Sequence, residues 1–146
     1  MRPDRALLRA GFLLVLLALA TGFAIPVFKN QHMAVNGHVG GVLNGLLLVG
    51  LACAWDSLRQ SSGRARLTRA LAVYGAYTNW VSTVLGAAWG THRLTPLGGA
   101  GFEAAPWQET LVAALQVSLA LAMAAALLLV VLALRGGPAA TDARAS

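Results

Sequence analysis

The chain has 146 residues, 58% of them hydrophobic and only 11% charged, about half the charged share usual in a soluble domain. That balance excludes a soluble globular domain and reads as an integral membrane protein. The net charge of +6 does not imply nucleic acid, because the basic residues fall in short clusters between long apolar runs and form no stripe on an amphipathic face.

A helix needs about 20 mostly apolar residues to cross a hydrocarbon core ~30 Å thick. The stretches 6–28, 38–55, 71–89 and 107–134 qualify. Each helix satisfies its own backbone groups in lipid, and four short spans cannot close a barrel. The expected fold is therefore all-α, a four-helix transmembrane bundle. Residues 1–135 make its single domain, and 136–146, rich in Gly, Ala and Pro, are predicted to be a disordered tail. Pro26 is expected to bend or stop the first helix. A cleaved signal peptide competes for this first stretch, given Arg2, Arg5, Arg9 and the ALA triplet at 18–20. Apolar sequence nevertheless continues to Phe28, longer than such a peptide needs.

Basic residues set the orientation. Arg2, Arg5 and Arg9 precede the first span; Arg59, Arg64, Arg66 and Arg69 separate the second from the third; Arg135 and Arg144 follow the fourth. Only Lys29 and Arg93 fall on the other side. The positive-inside rule then puts both termini in the cytoplasm, with Trp89 and Trp107 at the outer interface and Trp55 at the inner one. Cys53 is the single cysteine, so neither an internal disulfide nor a cysteine metal cluster is available.

Polar residues within the spans are the functional candidates, because lipid makes them costly. In the second span His38 lies at the outer entrance and Asn44 about 9 Å deeper, at 1.5 Å per residue. They point about a third of a turn apart, so they can line adjacent walls of a pocket but not one narrow stripe. Gly37, Gly41 and Gly45 form a ladder that serves either close helix packing or, with Gly41 and Gly45 beside His38, a macrocycle lying flat on the helix. In the third span Gly75, Asn79, Ser82, Thr83, Gly86 and Gly90 share one face, with Tyr74 and Tyr77 toward the cytoplasmic half and Trp80 off the stripe. Glu109 opens the fourth span, either as an interfacial acid favoured by the helix dipole or as a pocket carboxylate that moves a proton. His32 and His92 fall in the outer loops. No spacing supports the three ligands of a zinc centre, whereas one well-placed histidine suits an axial ligand to haem with the opposite face of the iron open.

The run TGFAIPVF at 21–28, the block from His38 to Asn44 and Gly45, and YGAYTNW at 74–80 together resemble the hydroxylaminobenzene mutase family of small four-span bacterial membrane enzymes. The resemblance extends over about 9–134. It implies an inner-membrane enzyme that rearranges an aryl hydroxylamine to an ortho-aminophenol. More remotely, the chain is similar to styrene oxide isomerase through a histidine followed, after five residues, by asparagine-glycine. That likeness implies haem b ligated by His38, a pocket asparagine at Asn44 and a homotrimer. It also places Thr83 where that isomerase carries a catalytic tyrosine, which argues against epoxide chemistry. On this basis Asn44 and Asn79 are expected to orient the substrate, and Glu109 or Tyr77 to relay a proton. The rival readings are a haem-bearing electron carrier, which would want a second axial ligand, and a non-catalytic four-span scaffold.

Overall fold

The computed structural model describes residues 3–134, so the expected tail at 136–146 lies outside the described residues. The chain forms four helices, α1 (Arg5–Phe23), α2 (Gln31–Ala54), α3 (Ser62–Trp89) and α4 (Pro106–Leu134), with no strand among the described residues. Three of them, α1, α2 and α4, are long and apolar enough to cross a membrane.

The helix ends follow from local chemistry. Asp4 caps α1, its Oδ1 accepting from the amides of Ala6 and Leu7 at 2.9 and 3.1 Å. At the other end α1 stops at Phe23 and the chain makes a 3-10 turn, Ile25–Val27, around Pro26. A residue before proline disfavours the helical region, which accounts for the break. The helix α2 starts at Gln31, seven residues ahead of the span expected from hydropathy, because Asn30 caps it and accepts from Met33 N at 3.0 Å. His32 therefore lies on the exposed first turn of a helix, not in a loop as expected. Gly90 ends α3 at φ +76°, its amide donating to Gly86 O at 2.8 Å, a left-handed cap that glycine adopts without strain.

Successive helices run antiparallel. The α1/α2 contact descends through Gly22 on His38, Ala18 on Gly41 and Gly11 on Gly45. Asp4 N donates to Ala52 O at 3.0 Å, and Arg59 N to Ala133 O at 3.2 Å, so the start of α1 and the end of α4 lie at one end of the molecule. Arg69 seals that end, paired with Asp4 and stacked 5.3 Å from the Trp55 ring. Leu7, Leu14, Leu48, Ala52, Ala76 and Ala126 form the core there. The helix α3 packs against each of the other three. That enclosure explains its composition: Thr68, Thr78 and Ser82 are buried within protein, where polar side chains find partners that lipid does not offer.

At the other end the segment 90–105 folds back over the helix tips, held by side chains from two elements, α4 and the connection before α2. Lys29 Nζ donates to the carbonyls of Trp89 and Glu103 at 3.1 and 2.7 Å. Asn30 Nδ2 reaches Gly98 O at 2.7 Å. Glu109, 6% exposed, accepts the amides of His92 and Arg93 at 2.9 and 3.0 Å and lies 3.0 Å from His92 Nδ1. Trp89 and Trp107 meet edge to face beside this clasp, their centroids 5.2 Å apart.

Candidate active site

His38 sits on the α1 side of α2, half-buried, its Nδ1 2.8 Å from the carbonyl oxygen of Ala18. The ring can lie against that carbonyl only because Gly22 leaves room: a Cβ there would lie 2.7 Å from Nδ1. The carbonyl can only accept, so Nδ1 carries the hydrogen and the Nε2 lone pair is left without a partner among the described residues. A ring anchored at Nδ1 with Nε2 free is the arrangement of a metal-ligating histidine and its outer-shell carbonyl.

The ladder beside it is occupied differently from the macrocycle expectation. A Cβ on Gly41 would lie 2.7 Å from Ala18 Cβ and 2.8 Å from Trp80 Cδ1; on Gly45 it would lie 2.6 Å from Val15 Cγ2 and 2.8 Å from Gly11 O. Gly41 and Gly45 are thus closed over by α1 and α3, which leaves no room for a flat ligand against them. Trp80, off the polar stripe, fills this gap and donates Nε1–H to Thr21 Oγ1 at 3.0 Å.

Asn44 lies about a third of a turn round α2 from His38, at 100° per residue. Its Nδ2 donates to Gly40 O one turn back at 2.8 Å, which leaves Oδ1 with no partner among the described residues. On α3, Thr83 Oγ1 donates to Asn79 O at 2.8 Å and approaches Asn79 Oδ1 at 3.4 Å. The threonine hydroxyl is therefore spent on its own helix. Thr83 also borders a cavity of about 370 Å³ beneath the outer segment, with Met33, Asn36, Leu94 and Thr95. Asn36 escaped the sequence reading because the helix was expected to begin two residues after it; Asn30, a capping residue type, was the available signal.

The two expected proton carriers have other occupations. Tyr77 donates its hydroxyl to Ala10 O at 2.9 Å, bracing α3 against α1. Tyr77→Phe is expected to lower stability by about 0.6 kcal/mol, the mean for such membrane contacts, and to leave turnover within about twofold, which is under 0.5 kcal/mol of barrier. Glu109 clasps the segment 90–105 rather than facing a pocket. Glu109→Gln removes an acceptor from a buried pair of amides and is expected to cost about 1–3 kcal/mol, read as a lower Tm in detergent. Among the described residues no hydrogen bond joins His38 to Asn44 or Asn79.

The styrene oxide isomerase family model matches residues 3–135. The chain belongs to that family. It is 38% identical over 145 residues to hydroxylaminobenzene mutase HabB of Ectopseudomonas oleovorans, covering 97% of this chain and 88% of the relative. Hydroxylaminobenzene mutase HabA of the same organism is 38% identical over 121 residues, 82% of this chain and 90% of the relative. No solved structure matches significantly. The likeness read from 21–28, 38–45 and 74–80 is thereby borne out, and the chain is an enzyme of the mutase and isomerase class.

Proposed function

We propose that this isomerase-family chain rearranges an aryl hydroxylamine, with hydroxylaminobenzene as the type substrate, to an ortho-aminophenol by intramolecular hydroxyl transfer. All four helices span the bacterial inner membrane in this reading, with both termini cytoplasmic. The observation that carries it is the anchored imidazole of His38 in a chain so similar to two named mutases.

His38 Nε2 fits an axial ligand to haem b, and the Ala18 carbonyl would hold the ring in the required tautomer. Bound there, haem would supply a Lewis-acidic iron. The remaining work falls to the chain. The reaction breaks the N–O bond, forms a C–O bond at the ortho carbon of the same ring, and moves the ortho proton to nitrogen. Atoms and electrons balance within one molecule, so no reductant is needed. What the protein must provide is confinement of both fragments, a proximity effect. Asn44 Oδ1 and the Asn79 amide are the groups free to orient the N–H and O–H of the substrate. Glu109 and Tyr77 hold helices and the outer segment in place and carry no proton.

His38 and Asn44 diverge by about 120° around α2, from six steps of 100°. A site using both is therefore completed between copies of the chain, and we take the assembly to be a homotrimer. The runner-up, epoxide isomerisation, is favoured by the family description but leaves Thr83, whose hydroxyl is spent on Asn79 O, to do the work of a tyrosine. The test is an isotope experiment on detergent-solubilised protein. Hydroxylaminobenzene carrying a labelled oxygen is expected to give ortho-aminophenol that retains the label in ordinary water. Label lost to solvent, or turnover of styrene oxide in its place, overturns the reading.

A further inference from the structure

The arginines of this chain divide into two kinds. Arg69 pairs with Asp4 and Arg93 donates to Thr110, whereas the side chains of Arg5, Arg9, Arg64 and Arg66 meet no acceptor among the described residues. Three of these four gather at one place. Arg69 on Asp4 and the Tyr77 hydroxyl on Ala10 O hold α1 and α3 parallel and in register, so Arg5 and Arg9 lie at the same end as Arg66. Along α1, Arg5, Arg9 and Phe12 recur at i, i+4 and i+7; along α3, Arg66, Val73 and Tyr77 recur at i, i+7 and i+11, each set one stripe of its helix. Between the two helices runs a cavity of about 740 Å³, lined by Leu8, Phe12, Leu13, Val73 and Tyr77, with Arg9 the charged residue of its lining.

Among the described residues nothing neutralises these charges. Asp4 is taken by Arg69 and Asp56 is already engaged. Glu103 and Glu109 lie at the opposite end, in and against the segment 90–105. A second copy of the chain would bring the same surplus of arginine and no free carboxylate to meet it. We propose that the cavity between α1 and α3 binds one anionic phospholipid, its phosphodiester held by Arg5 and Arg9 with Arg66 beside them, and one acyl chain laid along Phe12, Leu13 and Val73. A guanidinium is suited to this by its planar fork, which meets two phosphate oxygens at once. Because α1 is long and apolar enough to cross a membrane, the cavity opens on a bilayer leaflet, and basic pockets between helices at a membrane surface take headgroups of this charge. The site owes nothing to the mutase reading.

Native mass spectrometry of the detergent-purified full chain, titrated with phosphatidylglycerol and with phosphatidylcholine of the same acyl chains, tests it. Phosphatidylglycerol is expected to bind about tenfold or more tighter, and Arg9→Gln and Arg66→Gln each to weaken it about fivefold, the effect of one basic residue against an anionic headgroup. Arg64→Gln removes the same charge from the far side of α3, about 200° from Arg66, and is expected to leave the affinity within about twofold. Leu13→Trp keeps every arginine but fills the cavity, and is expected to weaken the lipid about fivefold or more; it serves should an arginine variant not insert. Equal affinity for the two lipids, or equal losses from Arg64→Gln and Arg66→Gln, means diffuse surface charge and overturns the site. Displacement of the lipid by glycerophosphoglycerol, which carries the headgroup without chains, overturns it as well, since the cavity then takes no part. A change of oligomer mass in Leu13→Trp means that a second copy fills the cavity, and the lipid site falls.

Discussion

Replacing His38 by alanine is expected, under the proposed haem ligation, to abolish Soret absorbance of the purified protein and to lower conversion of hydroxylaminobenzene by about a hundredfold or more. The magnitude follows from Lewis-acid stabilisation worth several kcal/mol, at about 1.4 kcal/mol per tenfold in rate. A sharper companion is Gly22→Ala, which leaves the imidazole in place but inserts a Cβ 2.7 Å from Nδ1 and 3.0 Å from Cε1. The ring is the movable partner, so it swings off the Ala18 carbonyl while the helices stay packed. Activity is then expected to drop about 10–100-fold, the usual cost of losing an outer-shell partner, with helix content by circular dichroism unchanged. Wild-type spectra and rates in both variants would remove His38 from the mechanism.

The largest expected effect on stability is at Gly45. Its Cβ would meet Gly11 O at 2.8 Å and Val15 N at 3.0 Å, and a Cβ on Gly11 would meet Gly45 O at 2.7 Å. Both obstacles are backbone, so neither helix can yield without separating along its length. Gly45→Leu is expected to destabilise by about 3 kcal/mol or more, the upper range for overpacking, or to prevent recovery of folded protein. Gly40 lies one turn away on the open side, where a Cβ meets nothing within 4 Å. Gly40→Ala is expected to be neutral or to stabilise by about 0.5–1 kcal/mol, since alanine loses less freedom in a helix interior. Unfolding in detergent, followed by circular dichroism, separates the two; equal Tm values would mean that the ladder does not hold α1 to α2.

Much of the candidate site stood out in the sequence because long apolar helices are unforgiving of polar residues. An imidazole, two carboxamides and a run of glycines stand out from apolar surroundings by residue type alone, and the order of the blocks around them pointed to the family. Two of the roles assigned to these residues did not follow. Gly41 and Gly45 looked equally suited to packing or to a flat ligand, and only the positions of Ala18, Trp80 and Val15 decide for packing. Glu109 and Tyr77 looked available for proton transfer, yet their partners are backbone groups of the outer segment and of α1. No pattern marks such acceptors and donors, because every residue carries them.

The sequence by itself determined the class of molecule, four helices of which three are long and apolar enough to cross a membrane, with arginines gathered toward alternate connections, because hydrophobic length and charge are sums over residues and need no partner. It also placed the break at Pro26, where the cause is local. Tertiary structure decided which way each polar side chain faces: His38 toward Ala18, Asn44 back onto Gly40, Thr83 back onto Asn79. Direction on a helix is fixed by the sequence only relative to its own axis. Rotation of that axis against its neighbours comes from where backbones approach closely, as at Gly11 against Gly45, and that is a property of two helices at once.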